Sequence, residues 1–420
     1  MTDLLKFSNT SPADPFYQLD QQTKDADSML SYPGFFATTN EAHRMSKQSP
    51  ISGSTPAYGD KIIFEIDKSQ FQTGQVWLQW TRSALTQGAG STQTAFVDCE
   101  AYATIDRIDV TQGSNDLEKK DGRYYFIERS RFREKETDRI AEAPLILGDL
   151  TFAERQINSL GNPQGTAAFE QTLWLRLDLW WAWWTKMYPM TSILGSKLQI
   201  TIYFKQLADI TTWNVGGSAP TCTIKSCNLV YMSYYLPRAQ EAFNSQKVMT
   251  TTGLQYRVLQ WTRQEAMGSA GQTSIAIQLQ NFRLPCVCFF FHIRKVSQIN
   301  AQGTASFATK SLNDYLSWNS FKLDAGDIEV VRSQDSKFNI CALQRQYLKE
   351  PTFEKIGGWF FSWDPASVVS ANGHKSWSEM TNPTLTIELP DPGEAFVVDV
   401  YSRENNTIIH KGGTFKKLLT

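Results

Sequence analysis

The sequence predicts an all-β chain built as two sandwiches in tandem, and three observations carry the prediction. Short stretches in which apolar and polar residues alternate recur from Lys61 to Val400, the period of strands whose side chains leave opposite faces of a sheet. Turn residues separate these stretches, and almost no run shows the period of an amphipathic helix. Between the strand-rich halves lies one helix-compatible bridge, RAQEAFNSQKVM at 238–249. At 420 residues the chain has room for two or three domains. The expected division is an extended N-terminal arm (1–55), a first sandwich (56–237), a linker helix (238–249) and a second sandwich (250–420).

The arm is rich in Ser, Thr, Pro, Asp and Gln and has no sustained period. Phe16, Tyr17, Leu30, Tyr32, Phe35 and Phe36 are many aromatics for a solvated tail, so it is expected to order against a neighbouring surface. In the first sandwich, Ile62, Phe64 and Ile66 alternate with Lys61, Glu65 and Asp67. Val76, Leu78 and Trp80 alternate with Trp77, Gln79 and Thr81. The stretch 116–142 is dense in charge of balanced sign and reads as a solvated helix laced with ion pairs.

Residues 173–204, LWLRLDLWWAWWTKMYPMTSILGSKLQITIYF, read as strand, aromatic corner, strand. Leu173, Leu175, Leu177, Leu179, Trp181 and Trp183 alternate with Trp174, Arg176, Asp178, Trp180, Ala182 and Trp184. Tyr188-Pro189 interrupts, because proline offers no N–H to a ladder. Leu198, Ile200, Ile202 and Phe204 then restore the alternation. The tryptophans fit a core hairpin, a sugar-binding platform or a protein interface. A last strand runs from Cys227 to Leu236.

The second half repeats the habit. Its strands are marked by Tyr256 and Val258; Ile275, Ile277 and Leu279; Val287, Phe289, Phe291 and Ile293; Phe338, Ile340 and Ala342; Trp359, Phe361 and Trp363; Leu385, Ile387 and Leu389; and Phe396, Val398 and Val400. Each half has strands enough for an eight-stranded sandwich, so the architecture expected is two tandem jelly rolls.

Site chemistry is sparse in the sequence. Lys plus Arg is 41 against 42 for Asp plus Glu, a balance that argues against sequence-specific nucleic-acid binding. No apolar run approaches the ~18 residues of a spanning helix, and the N-terminus lacks a signal-peptide pattern, so a soluble protein made in the cytoplasm is expected. The six cysteines, 99, 222, 227, 286, 288 and 341, form no metal signature and are read as reduced and structural, with Cys286 and Cys288 on one strand face. His43, His292, His374 and His410 have no second histidine at ligand spacing, and His292 reads as a core or wall residue. No phosphate loop, nucleophile elbow or zinc helix is present. Gly357-Gly358 and Gly412-Gly413 read as turn glycines. Asp178, Glu354 and Asp364 could serve a glycosidase only if the fold paired two of them across a cleft. Catalytic, cofactor-binding and metal-binding residues are accordingly predicted as none, and no cofactor is expected.

Several segments resemble a known family. The run from Leu177 to Phe204, a Trp-Trp-x-Trp-Trp corner followed by proline and the strand KLQITIYF, resembles the end of the first jelly roll in major capsid proteins of nucleo-cytoplasmic large DNA viruses and their smaller virophage and polinton-like relatives. The segment CNLVYMSYYLPRAQEAFNSQKVMTTTGLQYRVLQW is similar to that family's crossover between rolls. FRLPCVCFFFHIRK, GGWFFSWDPASV and FVVDVYSRENNTIIHKGGTFKKLL resemble later strands of the second roll, in order and at similar spacing. The likeness covers residues 60–420 and departs from the pattern at Ser-Ala-Asn-Gly-His (370–374) and in a missing Asn-Gly turn.

The resemblance implies a double jelly-roll major capsid protein rather than an enzyme. It implies a homotrimer forming pseudo-hexameric capsomers that tile an icosahedral shell around double-stranded DNA. Its implied partners are neighbouring capsomers, minor capsid and penton proteins, and, in some relatives, an internal membrane. The implied location is the virion, with assembly in the host cytoplasm or nucleus. The competing readings are a minor capsid or vertex protein and a two-sandwich carbohydrate-active enzyme.

Overall fold

The computed structural model describes residues 43–51, 55–66, 71–90, 94–96, 100–123, 127, 170–177, 179–181, 196–213, 217–235, 253–296, 315–347, 355–363 and 373–418. The first half holds β1 (His43–Gln48), β2 (Lys61–Ile66), β3 (Phe71–Arg82), β4 (Thr94–Phe96), β5 (Ile105–Gln112), β6 (Asn115–Asp121), β7 (Gln171–Leu177), β8 (Leu198–Phe204), β9 (Thr211–Trp213) and β10 (Ile224–Tyr235). The second holds β11 (Leu254–Gly268), β12 (Ser274–Gln278), β13 (Pro285–Lys295), β14 (Ser320–Ala325), β15 (Ile328–Ser333), β16 (Gly357–Phe360), β17 (Lys375–Ser376), β18 (Pro383–Glu388), β19 (Phe396–Lys411) and β20 (Thr414–Lys417).

In the first half a sheet ordered β1-β10-β3-β7 packs on one ordered β2-β8-β5-β6. In the second, β11-β19-β13-β16 packs on β12-β18-β14-β15. Setting aside the short ribbon β4–β9 and the additions β17 and β20, eight of the described strands remain in each half. Ranked along the chain, they have the same order in both, 1-8-3-6 facing 2-7-4-5. Every pairing among the described strands is antiparallel. This is the two-sheet arrangement of a jelly roll, formed twice.

Alternation fixes the register. Leu173, Leu175 and Leu177 of β7 lie opposite Trp80, Leu78 and Val76 of β3, and all six are fully buried. Across the sandwich, Leu198, Ile200 and Ile202 of β8 lie opposite Ile66, Phe64 and Ile62 of β2. Each such side chain contributes about 1.5–3 kcal/mol when taken out of water. A one-residue slip would turn all of them outward.

Several expectations are corrected. His43–Gln48, inside the stretch read as an arm, pairs with β10 as an edge strand. Asp116 to Asp121 lie in β6, not in a solvated helix: Leu117 points inward, and Glu118 and Lys120 are buried as an ion pair at 2.9 Å. The strand after Leu173 ends at Leu177, and the chain turns at Trp180 and Trp181. There the Trp180 amide leaves the ladder to donate to Glu118 Oε2 at 2.9 Å.

Phe338, Ile340 and Ala342 fall in a helical segment, residues 336–347, with a π-helical turn at Asn339–Leu343. Asp335 caps it by accepting the Lys337 and Phe338 amides. Buried Asn339 and Gln344 then tie it to the chain at Gly358 and Ile356.

Gly357 and Gly358 are strand glycines covered by rings. A Cβ on Gly357 would lie 2.2 Å from Phe291 Cζ, and one on Gly358 would lie 2.4 Å from Phe290 Cδ1. Gly412 and Gly413 do turn, at φ 58° and 78°, between β19 and β20. The bridge at 238–249, residues 1–42 and most of 124–169 lie outside the described residues.

Candidate functional site at the seam between the rolls

The chain concentrates its buried polar groups where the two rolls meet. β13 reads PCVCFFFHIRK, and both of its faces are buried. Phe289, Phe291 and Ile293 point into the second roll's core, while Cys288 and Phe290 join the core of the first. A bulge between Cys286 and Cys288 shifts the register against β19. That extra residue puts Cys286 with the second roll's core and Cys288 on the seam, correcting the expectation that the two thiols share a face. No disulfide joins the five described cysteines.

Beyond Phe290 the seam face of β13 carries His292 and Arg294, and Asp399 of β19 lies opposite His292. The Asp399 side chain is fully buried, and Arg294 donates to its Oδ2 through Nε at 2.7 Å and lies within 2.5 Å through Nη2. Arg263 of β11 donates to Oδ1 through Nε at 2.9 Å and Nη2 at 2.5 Å. Burial opposes the charge on Asp399, but the guanidiniums of Arg294, Arg263 and Arg123 outweigh it and hold the carboxyl below the usual carboxylate range. Burial, with those guanidiniums, pushes His292 well down despite Asp399 at 3.4 Å, so the imidazole is neutral. Its ring stacks on Tyr401 at 5.7 Å and meets Tyr315 edge-on at 4.6 Å.

Three groups from the first roll fasten this cluster. Asp121, at the end of β6, accepts the Tyr401 hydroxyl at 3.3 Å and lies 3.7 Å from Arg263 Nη1, so Arg263 joins carboxylates of both rolls. Gln112, at the end of β5, accepts the Phe415 amide at 2.7 Å and donates to the Gly413 carbonyl at 3.4 Å. Trp180 packs on Tyr256 and Phe415 at 5.1 and 5.5 Å, and on Trp181 at 5.4 Å. Tyr256, Val258, Phe290, Tyr401, Ile408 and Phe415 thus belong to one continuous core with the first roll. The arrangement locks two domains into one block; it presents no nucleophile with a base beside it.

The tryptophan corner is structural where it is described. Trp180 and Trp181 are 4 % and 0 % exposed, which removes them as a sugar platform. Trp183 and Trp184 lie outside the described residues, as do Asp178, Glu354 and Asp364. His410 is buried and stacks on Phe415 at 4.0 Å, and His374 is exposed. A cavity of about 340 Å³ opens on the outer face of β14, β15 and β18 beside Lys322, Arg332 and Glu388. Its two cations are committed to Asp324 and Glu329 at 2.8 and 3.3 Å. No group of His, Cys, Asp and Glu among the described residues could hold a metal, and no described helix is long and apolar enough to cross a membrane.

The sequence matches no family model and no curated protein. Its structure does match solved ones. A chain of the PBCV-1 virus capsid, a quasi-atomic model, superposes with a TM-score of 0.70 at 11% identity, covering 92% of this chain and 98% of that one. The fold is the double jelly roll. The Faustovirus major capsid protein shares it with a TM-score of 0.68 at 10% identity, over 88% of this chain and 90% of its own. A chain of the Sputnik virophage, solved by cryo-EM, gives 0.56 at 9% identity, over 90% and 88%. The double jelly roll is the fold that the sequence resemblance implied.

Proposed function

We propose that the chain is a viral major capsid protein, a structural subunit rather than an enzyme. The observation that carries this reading is the same eight-strand order formed twice in one chain, superposable over 92% of its length on a capsid chain. In this reading three copies assemble around a threefold axis. Their six rolls form a pseudo-hexagonal capsomer, and capsomers tile an icosahedral shell around double-stranded DNA together with minor capsid and penton proteins. Host-cell assembly, in cytoplasm or nucleus, delivers the chain to the virion. The arm preceding His43 runs along the capsomer base, the first roll begins with β1 and extends to 237, and a helix at 238–249 links it to the second roll, 250–420.

Two features support assembly by apolar burial. Phe338 and Trp363 are 63 % and 81 % exposed in the single chain, and aromatic anchors are enriched at interfaces. The formal charge is −1, too small to drive or oppose association by itself. The purified chain is therefore expected to be a trimer at both low and high salt by light scattering, with hexagonal outlines in electron micrographs. A well-folded monomer at micromolar concentration under both conditions would sink the assignment.

A further inference from the structure

One buried carboxylate of β19 lies outside the seam cluster. Glu404 is 1 % exposed, with Gln260 of β11 and Cys286 of β13 as its register partners. Its Oε2 accepts the Thr262 hydroxyl at 2.9 Å, and its other polar neighbours, Ser402 and Gln260, are uncharged. Thr262 and Gln260 face it from β11, Cys286 from β13, and Ser402 and Asn406 along its own strand. None of these carries a charge: burial pushes the Cys286 thiol far up, so it too is neutral. Trp377 donates to Ser402 Oγ at 2.7 Å, and Ser402 Oγ lies 3.4 Å from Cys286 Sγ. Arg403 turns to the other side, its guanidinium 5.6 Å from the Trp261 ring centre.

A carboxylate in such a place has lost its water and gained no cation, whereas a carboxylic acid loses far less on burial. We infer that Glu404 is a proton-operated latch: the folded second roll holds it as the neutral acid, and release of its proton to solvent loosens β19 where it crosses the β13 bulge. β19 also carries Asp399 and Tyr401, so loosening it reaches the seam. Burial pushes the Glu404 carboxyl up to about 7, against the pull of hydrogen bonds from Thr262, Ser402 and Gln260. An unfolded glutamate titrates near 4.3. Because the folded value is the higher one, the folded chain holds a proton that the unfolded chain releases. Stability is thus undiminished below the unfolded value, falls as pH rises through about 7, and levels off above.

The test is denaturant unfolding of the full chain between about pH 5 and pH 8, in wild type and in Glu404→Gln, whose amide imitates the protonated acid. The wild-type unfolding constant is expected to rise roughly 10- to 100-fold across that interval, and the variant is expected to flatten the rise. Infrared difference spectroscopy on wild type reads the protonated carboxyl directly and needs no variant to fold. A protonated carboxyl band that disappears around neutrality, and is absent from Glu404→Gln if that variant folds, supports the latch. An equal pH slope in both proteins, or no such band in wild type at about pH 5.5, overturns it.

Discussion

β3 and β13 hold the same rank in their rolls, and both carry a buried arginine at or next to their C-terminal end, yet the two arginines serve different ends. Arg82 shares the inward face of β3 with Val76, Leu78 and Trp80. It grips Glu100 through Nε at 2.6 Å and Nη2 at 3.1 Å, reaches Gln171 at 3.0 Å, and stacks over Phe96. All of these lie within the first roll. Arg294 shares the other face of β13 with Phe290 and His292, and its partner Asp399 also holds Arg263, which reaches Asp121 of the first roll. The same topology therefore uses one buried pair to close a roll and the other to join two. The outer face of β3 is half-buried at Trp77, Gln79 and Thr81, whereas β13 has no wet face to spare. Two copies of one fold need not be two independent beads.

Removing one carboxylate from each pair breaks the comparison most strongly. Asp399→Asn leaves the buried Arg294 guanidinium without its anion and is expected to cost about 3–5 kcal/mol, as is Glu100→Gln, which strands Arg82. The two losses should differ in place. Hydrogen exchange should rise along β3 and β7 for Glu100→Gln, but along β11, β13, β19 and the first-roll strand β6 for Asp399→Asn. Exchange confined to the second roll in Asp399→Asn would mean that the seam is held without Arg263. Acid should imitate this substitution. The folded pKa of Asp399 is depressed, so its contribution is complete above the ordinary aspartate value of about 3.9 and is lost as pH falls toward the folded one. A seam that opens on acidification before either roll melts, followed by the same exchange experiment, is the expected outcome.

The sequence displayed the rolls better than their junction. β2, β3, β8, β12 and β18 were legible because one face is dry and the other is not, which writes a period of two into the chain. β5 was hidden because register shifts near Ile105 and Val110 break the alternation, and its inward residues become Ile105, Ile108 and Val110. β6 was hidden because an ion pair and the seam, rather than an apolar row, hold it. At the helical segment the apparent alternation of Phe338, Ile340 and Ala342 misled, since Phe338 is exposed and the polar Asn339 is buried. Of the seam cluster, His292 alone stood out in the sequence, as a core or wall residue within a greasy strand. The cluster's fastening could not be read, because Tyr401 and Asp121 are 280 residues apart and no local pattern pairs them.

A smaller perturbation tests how tightly β13 is clamped from within its own roll. Gly357→Ala would set a methyl group 2.2 Å from Phe291 Cζ, and Phe291 already packs on Trp318 and Phe321 at 5.3 and 5.2 Å. Overpacking of this kind costs about 1–3 kcal/mol. Phe291→Leu should recover part of the loss in the double variant, which thermal melts of the four proteins would show. Equal melting of Gly357→Ala and wild type would mean that β16 shifts freely at the sheet edge.

The smallest effect isolates the seam from both cores. Gln112 uses both ends of its amide on the turn between β19 and β20, accepting from the Phe415 amide and donating to the Gly413 carbonyl, and it also donates to the Ser196 carbonyl at 3.0 Å. Gln112→Ala removes all three bonds and touches neither the Arg82 pair nor the Asp399 pair. An unmade buried hydrogen bond costs the stranded group its desolvation, so a loss of roughly 1–2 kcal/mol is expected. The loss should be local, because the ring of Phe415 stays wedged between Trp180, Tyr256 and His410 by apolar contact. Exchange of the Phe415 amide should accelerate while amides of β3 and β13 keep their protection. If β13 amides accelerate equally, the turn is not a separate latch, and the two rolls unfold as one cooperative body.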